Sequence, residues 1–491
     1  MASSTLPAHK HKGTIRCLAI EAAMKSQASE KQQAFDWLMR QQGQTRNWLR
    51  RGLGIDRAIG FTVLARGWSS LAGIVTVALI ARFLSRAEQG YYYTFGSLIA
   101  LQIVFELGFS FVILQMASHE RAFLTFSPEG VISGESVAHS RLASVLQKTI
   151  HWYTAAAIFL AVFLLTVGSH FFSTYQHGGL EVSWRFPWYA AALASTLTFQ
   201  LDPVLSFMEG CGFVTNIARL RFTQAFTGST LAWLSLATHH GLFAPAMMIL
   251  GNACAASVWL LRHRRLLLSL LQRNPGEHRV HWMNEVWPFQ WRIAVSWLTG
   301  YFIYQLYTPV LFAYRGPIEA GQMGMSLSLA NALQSVAISW INTKAAPFGA
   351  LIARKDYLAL DSLFFRALRQ SAGVFVASAL LVWTGAMYLN WTHARIAQRL
   401  LTPGSLAILL LSTFLNVVVF GLALYLRAHK QEKFLIPSIA GAILVTCSTY
   451  FLGKHFGAFG MVSGNLTIAL LMGLPSATFI FFKYRKAWHE D

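Results

Sequence analysis

The chain has 491 residues, of which 55% are hydrophobic and only 12% charged, and its formal net charge is +20 at pH 7. So apolar a composition indicates that lipid is the main solvent and excludes a soluble nucleic-acid-binding protein, despite the basic charge. Most of the 40 Lys and Arg residues fall in loops between apolar segments, where membrane lipids are the nearest partners. We therefore predict a multi-pass membrane protein that binds no nucleic acid.

Residues 1–57 are polar and precede the first long apolar run. They show no signal-peptide pattern, so the first span is expected to be the targeting signal. We interpret this segment as a cytoplasmic N-terminal segment that lies on the lipid headgroups, with partner docking as the alternative.

Six apolar segments follow, each near the 20 residues or so that cross a bilayer as a helix. Together they predict an N-lobe over residues 58–262, followed by a cytoplasmic inter-lobe linker at residues 263–287. The predicted spans are residues 58–81, 91–116, 151–172, 187–208, 222–238 and 243–261.

Six more apolar segments predict a C-lobe over residues 288–482 and a cytoplasmic C-terminal tail at residues 483–491. Because the basic residues concentrate in alternate loops, we expect both termini to be cytoplasmic and the chain to lie in a bacterial inner membrane. The predicted spans are residues 288–312, 322–342, 371–391, 404–426, 434–452 and 458–482.

The two predicted lobes share a short motif. Residues 85–90 (SRAEQG) align with residues 316–321 (GPIEAG), and the same offset aligns residues 97–98 with residues 328–329. Because the offset equals six helices, an even number, duplicated halves would share one orientation and be related by an axis along the membrane normal.

Several catalytic classes are excluded. No Walker-type phosphate loop, HExxH or GxSxG occurs in the sequence, and no predicted outer loop is long enough for an enzymatic domain. The four cysteines form no CxxC pair. We therefore expect no enzyme activity, no cofactor and no metal site, which leaves a channel or a transporter.

Charged residues inside predicted spans are candidates for function, since each costs at least about 2.5 kcal/mol to bury in the bilayer. Arg66, Glu106 and Asp202 are predicted at similar depth and are expected to meet on the cytoplasmic side of one cavity. In one interpretation Arg66 binds an anionic group while Glu106 and Asp202 position it or take a coupling cation. In the other, Arg66 and Glu106 form a purely structural ion pair.

Three further residues complete this prediction. Arg292 is a second candidate anion contact, with snorkelling to the interface as the alternative. Pro203 follows Asp202 and is expected to bend that helix next to the carboxylate, as in many transport sites. Polar residues of the second lobe such as Asn331 are expected mainly to form hydrogen bonds between helices.

Four segments resemble a known family. Residues 84–91 (LSRAEQGY) followed by 106–109 (ELGF) resemble the opening of polysaccharide-transport proteins, the O-antigen and teichoic-acid exporter branch of the multidrug/oligosaccharidyl-lipid/polysaccharide (MOP) superfamily. Residues 208–212 (MEGCG) and 321–326 (GQMGMS) are also similar to members of that branch.

The resemblance implies an all-α, V-shaped bundle of about twelve helices in two six-helix lobes around a central cationic cavity. It further implies a flippase that carries undecaprenyl-diphosphate-linked oligosaccharide across the inner membrane for O-antigen or exopolysaccharide assembly, by alternating access. Arg66 fits this picture because a guanidinium binds phosphate oxygens bidentately. A polysaccharide polymerase and a chain-length regulator are candidate partners.

Two alternatives remain beside the flippase. One is an ion-coupled drug or metabolite antiporter of the same superfamily, which would protect cells from toxic organic cations. The other is a non-transporting membrane scaffold for glycan assembly, which would depend on the N-terminal segment and the cytoplasmic loops.

Overall fold

The computed structural model describes five stretches of the chain. They are residues 57–126, 132–175, 182–276, 278–429 and 434–490. The chain divides into two compact units, Met1–Phe61 and Thr62–Asp491. Nearly all of the first unit, and with it the predicted N-terminal segment, lies outside the described residues.

Helices make up most of the described part of the first lobe, with one small antiparallel sheet between them. The strands are β1 (Leu124–Phe126) and β2 (Ile132–Gly134). A π-helical turn at Leu164–Gly168 joins the fifth helix to the sixth. The helices are α1 (Arg57–Phe83), α2 (Arg86–Ile99), α3 (Gln102–Glu106), α4 (Phe109–Arg121), α5 (Ser136–Phe163), α6 (Ser169–Thr174), α7 (Arg185–Gly210), α8 (Val214–Ala237) and α9 (Ala244–Arg262).

The rest of the described chain is also helical. Short 3₁₀ or π-helical turns lie at Trp282–Val286, Ala397–Arg399 and Ala469–Gly473. The helices are α10 (Arg264–Gln272), α11 (Trp287–Tyr304), α12 (Tyr307–Arg315), α13 (Pro317–Asn342), α14 (Ala345–Ala353), α15 (Tyr357–Trp391), α16 (Pro403–Ala428), α17 (Leu435–Ile468) and α18 (Leu474–Glu490).

Length and composition support a membrane location for this bundle. Six of the described helical segments are long and apolar enough to cross a membrane, and α2–α3 with α4, bent by 44°, would make a seventh. Large apolar side chains also lie on the outer surface, among them Phe186, Ile436 and Leu471. Such a surface is unfavourable in water and ordinary in lipid, so the chain is a multi-pass membrane protein.

The predicted second and fifth spans differ from the observed helices. The prediction of one continuous helix at residues 91–116 is wrong, because Leu107 and Gly108 adopt left-handed backbone conformations with φ of 50° and 70°. The helix of the fifth predicted span, α8, begins at Val214 rather than at Phe222. Arg221, which the prediction placed in a loop, is therefore two turns inside α8.

The predicted eleventh and twelfth spans meet at a tight reversal inside α17. Gly457 has a φ of +62°, and a Cβ there would overlap the Glu319 carboxylate. Glu319 accepts a hydrogen bond of 2.5 Å from the backbone N–H of Ala458. The start of α13 therefore holds the turn between these two helical arms.

An aromatic cluster joins the lobes at one end of the bundle. Tyr91 and Phe172 of the N-lobe pack against Phe312 of α12, with ring centroids 4.8 and 5.4 Å apart. Phe95 and Trp188 complete the cluster, and all five side chains are almost fully buried. Each such ring removes a large apolar area from solvent, so this cluster is a main source of contact between the lobes.

Candidate functional site

Two adjoining cavities lie between the N-lobe and α13, and together we call them the inter-lobe cavity. Their volumes are about 730 and 770 Å³. Four residues line both of them, namely Ser69, Gly73, Arg221 and Ser328, so the two spaces are continuous. The walls come mainly from α1 and α8, with further residues from α2, α7, α9 and α13.

Arg66 lies in the wall of the inter-lobe cavity, as predicted for an anion-binding residue. It is on α1, three residues before Ser69 on the same wall. Among the described residues its guanidinium has no ion-pair partner, and it is exposed to the cavity. Arg66 and Glu106 do not form the ion pair that was the alternative to anion binding.

Asp202 also lines the cavity, and its partner is Arg221. The Arg221 guanidinium lies 3.2 Å from an Asp202 carboxylate oxygen, and both side chains are about two-fifths exposed. Pro203 lies inside α7, which continues through it to Gly210. Because proline has no N–H to donate, the helix loses one backbone hydrogen bond beside this carboxylate.

Glu106 is not part of the lining of either cavity. It is the last residue of the short helix α3, directly before the break at Leu107. It does interact electrostatically with Asp202 and Arg221. Of the three charges predicted to meet, Arg66 and Asp202 line the inter-lobe cavity, whereas Glu106 is not in its described lining.

Two lining residues were missed by the sequence analysis as site residues. Glu209, near the end of α7, and Asn331, in the middle of α13, both face the cavity that contains Arg66. The signal for Glu209 was its place in the MEGCG motif. Asn331 was expected mainly to form hydrogen bonds between helices, and the structure places it in the cavity wall.

The charges on the cavity wall balance. The described lining contains two guanidiniums, Arg66 and Arg221, and two carboxylates, Asp202 and Glu209. The central cationic cavity implied by the family resemblance is therefore not what the structure shows. Because Asp202 is already paired with Arg221, Arg66 remains the guanidinium open to a ligand.

Arg292, the second predicted anion contact, is placed only by its backbone. It lies in the second turn of α11. Its side chain lies outside the described residues. Among the residues that the structure does describe, no group of three or more His, Cys, Asp or Glu side chains is placed to hold a metal.

The lobes are joined by polar contacts at the end away from Arg66. Gln89 of α2 donates to the carbonyl oxygen of Gly321 at 2.8 Å and accepts from the Arg399 guanidinium at 3.0 Å. Arg399 also donates to the carbonyl oxygen of Leu84 at 2.5 Å. Gln89 is almost fully buried. Its hydrogen bonds join α2 to two segments that are far from it in the sequence, at Gly321 and at Arg399.

The two copies of the repeated motif touch at this same end. A Cβ on Gly90 would overlap the carbonyl oxygen of Pro317, and a Cβ on Gly321 would lie 2.9 Å from the backbone nitrogen of Gly90. Only glycine allows the backbones of α2 and α13 to approach so closely. Gly90 and Gly321 are equivalent in the repeated motif, so the axis predicted to relate the lobes would pass beside them.

Fold comparison places this bundle in a known structural class. The chain has the all-α fold of MOP-superfamily transporters, which contains twelve helices. No protein-family model matches the sequence, and no curated protein matches it. The similarity to these transporters is therefore a similarity of fold and not of sequence.

Three solved structures illustrate it. The MATE multidrug transporter DinF-BH is 13% identical with a TM-score of 0.53, over 88% of this chain and 96% of that one. The lipid II flippase MurJ, in an inward closed conformation, is 14% identical with a TM-score of 0.51, over 88% and 90%. An outward-facing multidrug resistance MATE family transporter of the MOP superfamily is 11% identical with a TM-score of 0.50, over 88% and 97%.

Proposed function

We propose that this protein is a flippase that carries undecaprenyl-diphosphate-linked oligosaccharide across the inner membrane for O-antigen or exopolysaccharide assembly. The observation that carries the proposal is Arg66, an arginine without an ion-pair partner among the described residues, in the wall of a cavity between two lobes. A diphosphate cannot cross hydrocarbon unaided, and a guanidinium matches its oxygens. MurJ, which shares the fold, is itself a lipid II flippase.

The dimensions of the site support a headgroup as cargo. Each of the two adjoining cavities lies in the upper part of the range of about 300–1,000 Å³ typical of small-molecule sites. The lipid tail would remain in the bilayer while the diphosphate and sugars occupy the cavity. Separation of the lobes at Gln89 and Arg399 would then release the headgroup on the other side, which is alternating access.

The first experiment deletes the gene in its own host. The amount of undecaprenyl-diphosphate-linked oligosaccharide on the cytoplasmic leaflet is measured together with the surface glycan. A flippase predicts accumulation inside and loss outside. Unchanged amounts in both places would overturn the proposal for that glycan.

The role of Arg66 is tested by returning variants to the deleted strain. We expect Arg66→Ala to reduce glycan export about tenfold to a hundredfold, the range for losing one charge-assisted hydrogen bond. Arg66→Lys should retain part of it, since the charge remains. The control is Arg82→Ala, on the same helix but outside the cavity lining. Normal export by a folded Arg66→Ala protein would remove Arg66 from the site.

A second candidate is an ion-coupled antiporter for organic cations. It is favoured by Glu209 and Asp202 in the cavity wall and by Tyr92 and Tyr93 beside them, since carboxylates and aromatic faces attract cations. Under this alternative, deletion would leave glycan export intact and make cells sensitive to toxic organic cations. Glu209→Gln would reproduce that sensitivity, whereas Arg66→Ala would not.

A further inference from the structure

A second cavity lies on the opposite face of α8, between α8 and α9, and we call it the α8–α9 groove. Its volume is about 780 Å³. Arg219 lines this groove, whereas Arg221, two residues further along α8, lines the inter-lobe cavity. The same helix therefore presents one arginine to each of two separate spaces.

The groove begins where α8 and α9 cross most closely. A Cβ on Gly251 would lie 2.9 Å from the Cα of Gly228, and the Thr227 hydroxyl donates to the carbonyl oxygen of Gly251 at 3.2 Å. The lining runs from this crossing to Arg219 on α8 and Arg262 on α9. Since a helix rises about 1.5 Å per residue, the two arginines lie roughly 15 Å from the crossing.

The charge of the groove has one sign and lies at one end. Arg219 and Arg262 are exposed, and neither forms an ion pair among the described residues. The described lining contains no Asp or Glu. Because no carboxylate of the described lining neutralises them, these two guanidiniums are free to bind an anion.

The walls of the groove are apolar. Phe226 and Val258 line it and are about half exposed, and Leu231 and Trp259 complete the hydrophobic surface. Arg262 is the last residue of a segment long and apolar enough to cross a membrane. The arginines therefore lie at the level of the lipid headgroups and the apolar walls at the level of the acyl chains.

We propose that the α8–α9 groove binds an anionic glycerophospholipid, with its phosphate on Arg219 and Arg262 and an acyl chain along the wall formed by Phe226 and Val258. Two arginines can hold one phosphate by several charge-assisted hydrogen bonds. A zwitterionic lipid such as phosphatidylcholine carries the same phosphate, but its ammonium group is repelled by the two arginines, so it should bind more weakly. The proposal does not depend on what the inter-lobe cavity transports.

The first test uses the purified full-length protein and native mass spectrometry, with phosphatidylglycerol and phosphatidylcholine as probes. The unmodified protein should retain phosphatidylglycerol in preference. The double variant Arg219→Gln/Arg262→Gln should bind it about thirtyfold more weakly, since each basic side chain is worth about a factor of five. The matched control is Arg264→Gln/Arg265→Gln, which removes two neighbouring arginines outside the groove lining and should bind normally.

A second test needs no substitution in the groove. Cys254 lines it and is exposed, whereas Cys211 is buried, so a protein lacking Cys17 and Cys447 reports on the groove alone. Phosphatidylglycerol in the vesicles should slow the reaction of Cys254 with a maleimide, relative to pure phosphatidylcholine vesicles. Equal labelling rates, or equal lipid binding by the double variant and the control, would overturn the proposal. Protection by inorganic phosphate alone would overturn the lipid as ligand.

Discussion

Asp202 and Arg221 show how this chain tolerates charge inside the bundle. Each is about two-fifths exposed, and the two side chains neutralise each other at 3.2 Å in a wall that also holds Ile80 and Val77. The sequence predicted Asp202 and missed its partner, because Arg221 was assigned to a loop. A carboxylate within an apolar span needs a counter-charge, and this could have pointed to the arginine 19 residues later.

Exchanging the two charges tests whether this pair has only a structural role. Arg221→Asp alone places two carboxylates together and should lower stability by about 1 kcal/mol or more. The double exchange Asp202→Arg/Arg221→Asp should restore the melting temperature, because the attraction returns. We expect it not to restore export, since the guanidinium then lies on a different wall. Full recovery of export would show that the pair is structural.

At the scale of elements, the sequence predicted the helices better than their breaks. Gly108 lies within an apolar run, where a single glycine is usually tolerated, so the run was interpreted as one helix. The break depends on a residue far along the chain: the Gln290 amide, which is fully buried, donates to the carbonyl oxygen of Leu107 at 2.5 Å. Local periodicity cannot show such a contact.

The close crossing of α2 and α13 predicts that adding one methyl group at Gly90 destabilises the protein. Gly90→Ala should destabilise the protein by about 1–3 kcal/mol, because the new Cβ would overlap the Pro317 carbonyl and force the helices apart. Gly96→Ala on the same helix is the control, since no atom lies within 4 Å of its Cβ position. Thermal unfolding of the purified proteins compares them. Equal melting temperatures would contradict the close approach.

At the scale of the whole molecule, the helical multi-pass architecture was predictable because the length of an apolar segment is a property of the sequence itself. The site was predicted only in part. Arg66 and Asp202 line the inter-lobe cavity, whereas Glu106, the last residue before the break at Leu107, is not in its described lining. The side of a helix that faces the cavity is set by packing against other helices. The hydropathy of the sequence does not show which side that is.

Linking the lobes covalently tests whether they must separate. The hydroxyl oxygens of Ser97 in α2 and Thr308 in α12 are 2.5 Å apart, close enough for a disulfide in Ser97→Cys/Thr308→Cys. Oxidation should abolish export and reduction should restore it. The single variants, treated identically, are the controls. Undiminished export by the cross-linked protein, with the linkage verified by mass spectrometry, would contradict alternating access at this contact.

The predicted orientation is tested by labelling opposite ends of the bundle in cells. Thr238→Cys lies between α8 and α9, and Ala353→Cys ends α14; both positions are exposed. In a protein lacking the native cysteines, a membrane-impermeant maleimide should label Thr238→Cys in intact cells and Ala353→Cys only after permeabilisation. The reverse pattern would invert the topology.

The contact between Gly90 and Gly321 has a consequence for the history of the chain. A patch that meets its own copy across an axis is self-complementary, so an ancestral chain of half this length could have paired with an identical chain through the same surface. The two equivalent carboxylates have different partners in the present chain. Glu88 accepts a hydrogen bond from the backbone N–H of Ser85 at the start of its own helix, whereas its counterpart Glu319 accepts one from Ala458 and holds the turn in α17.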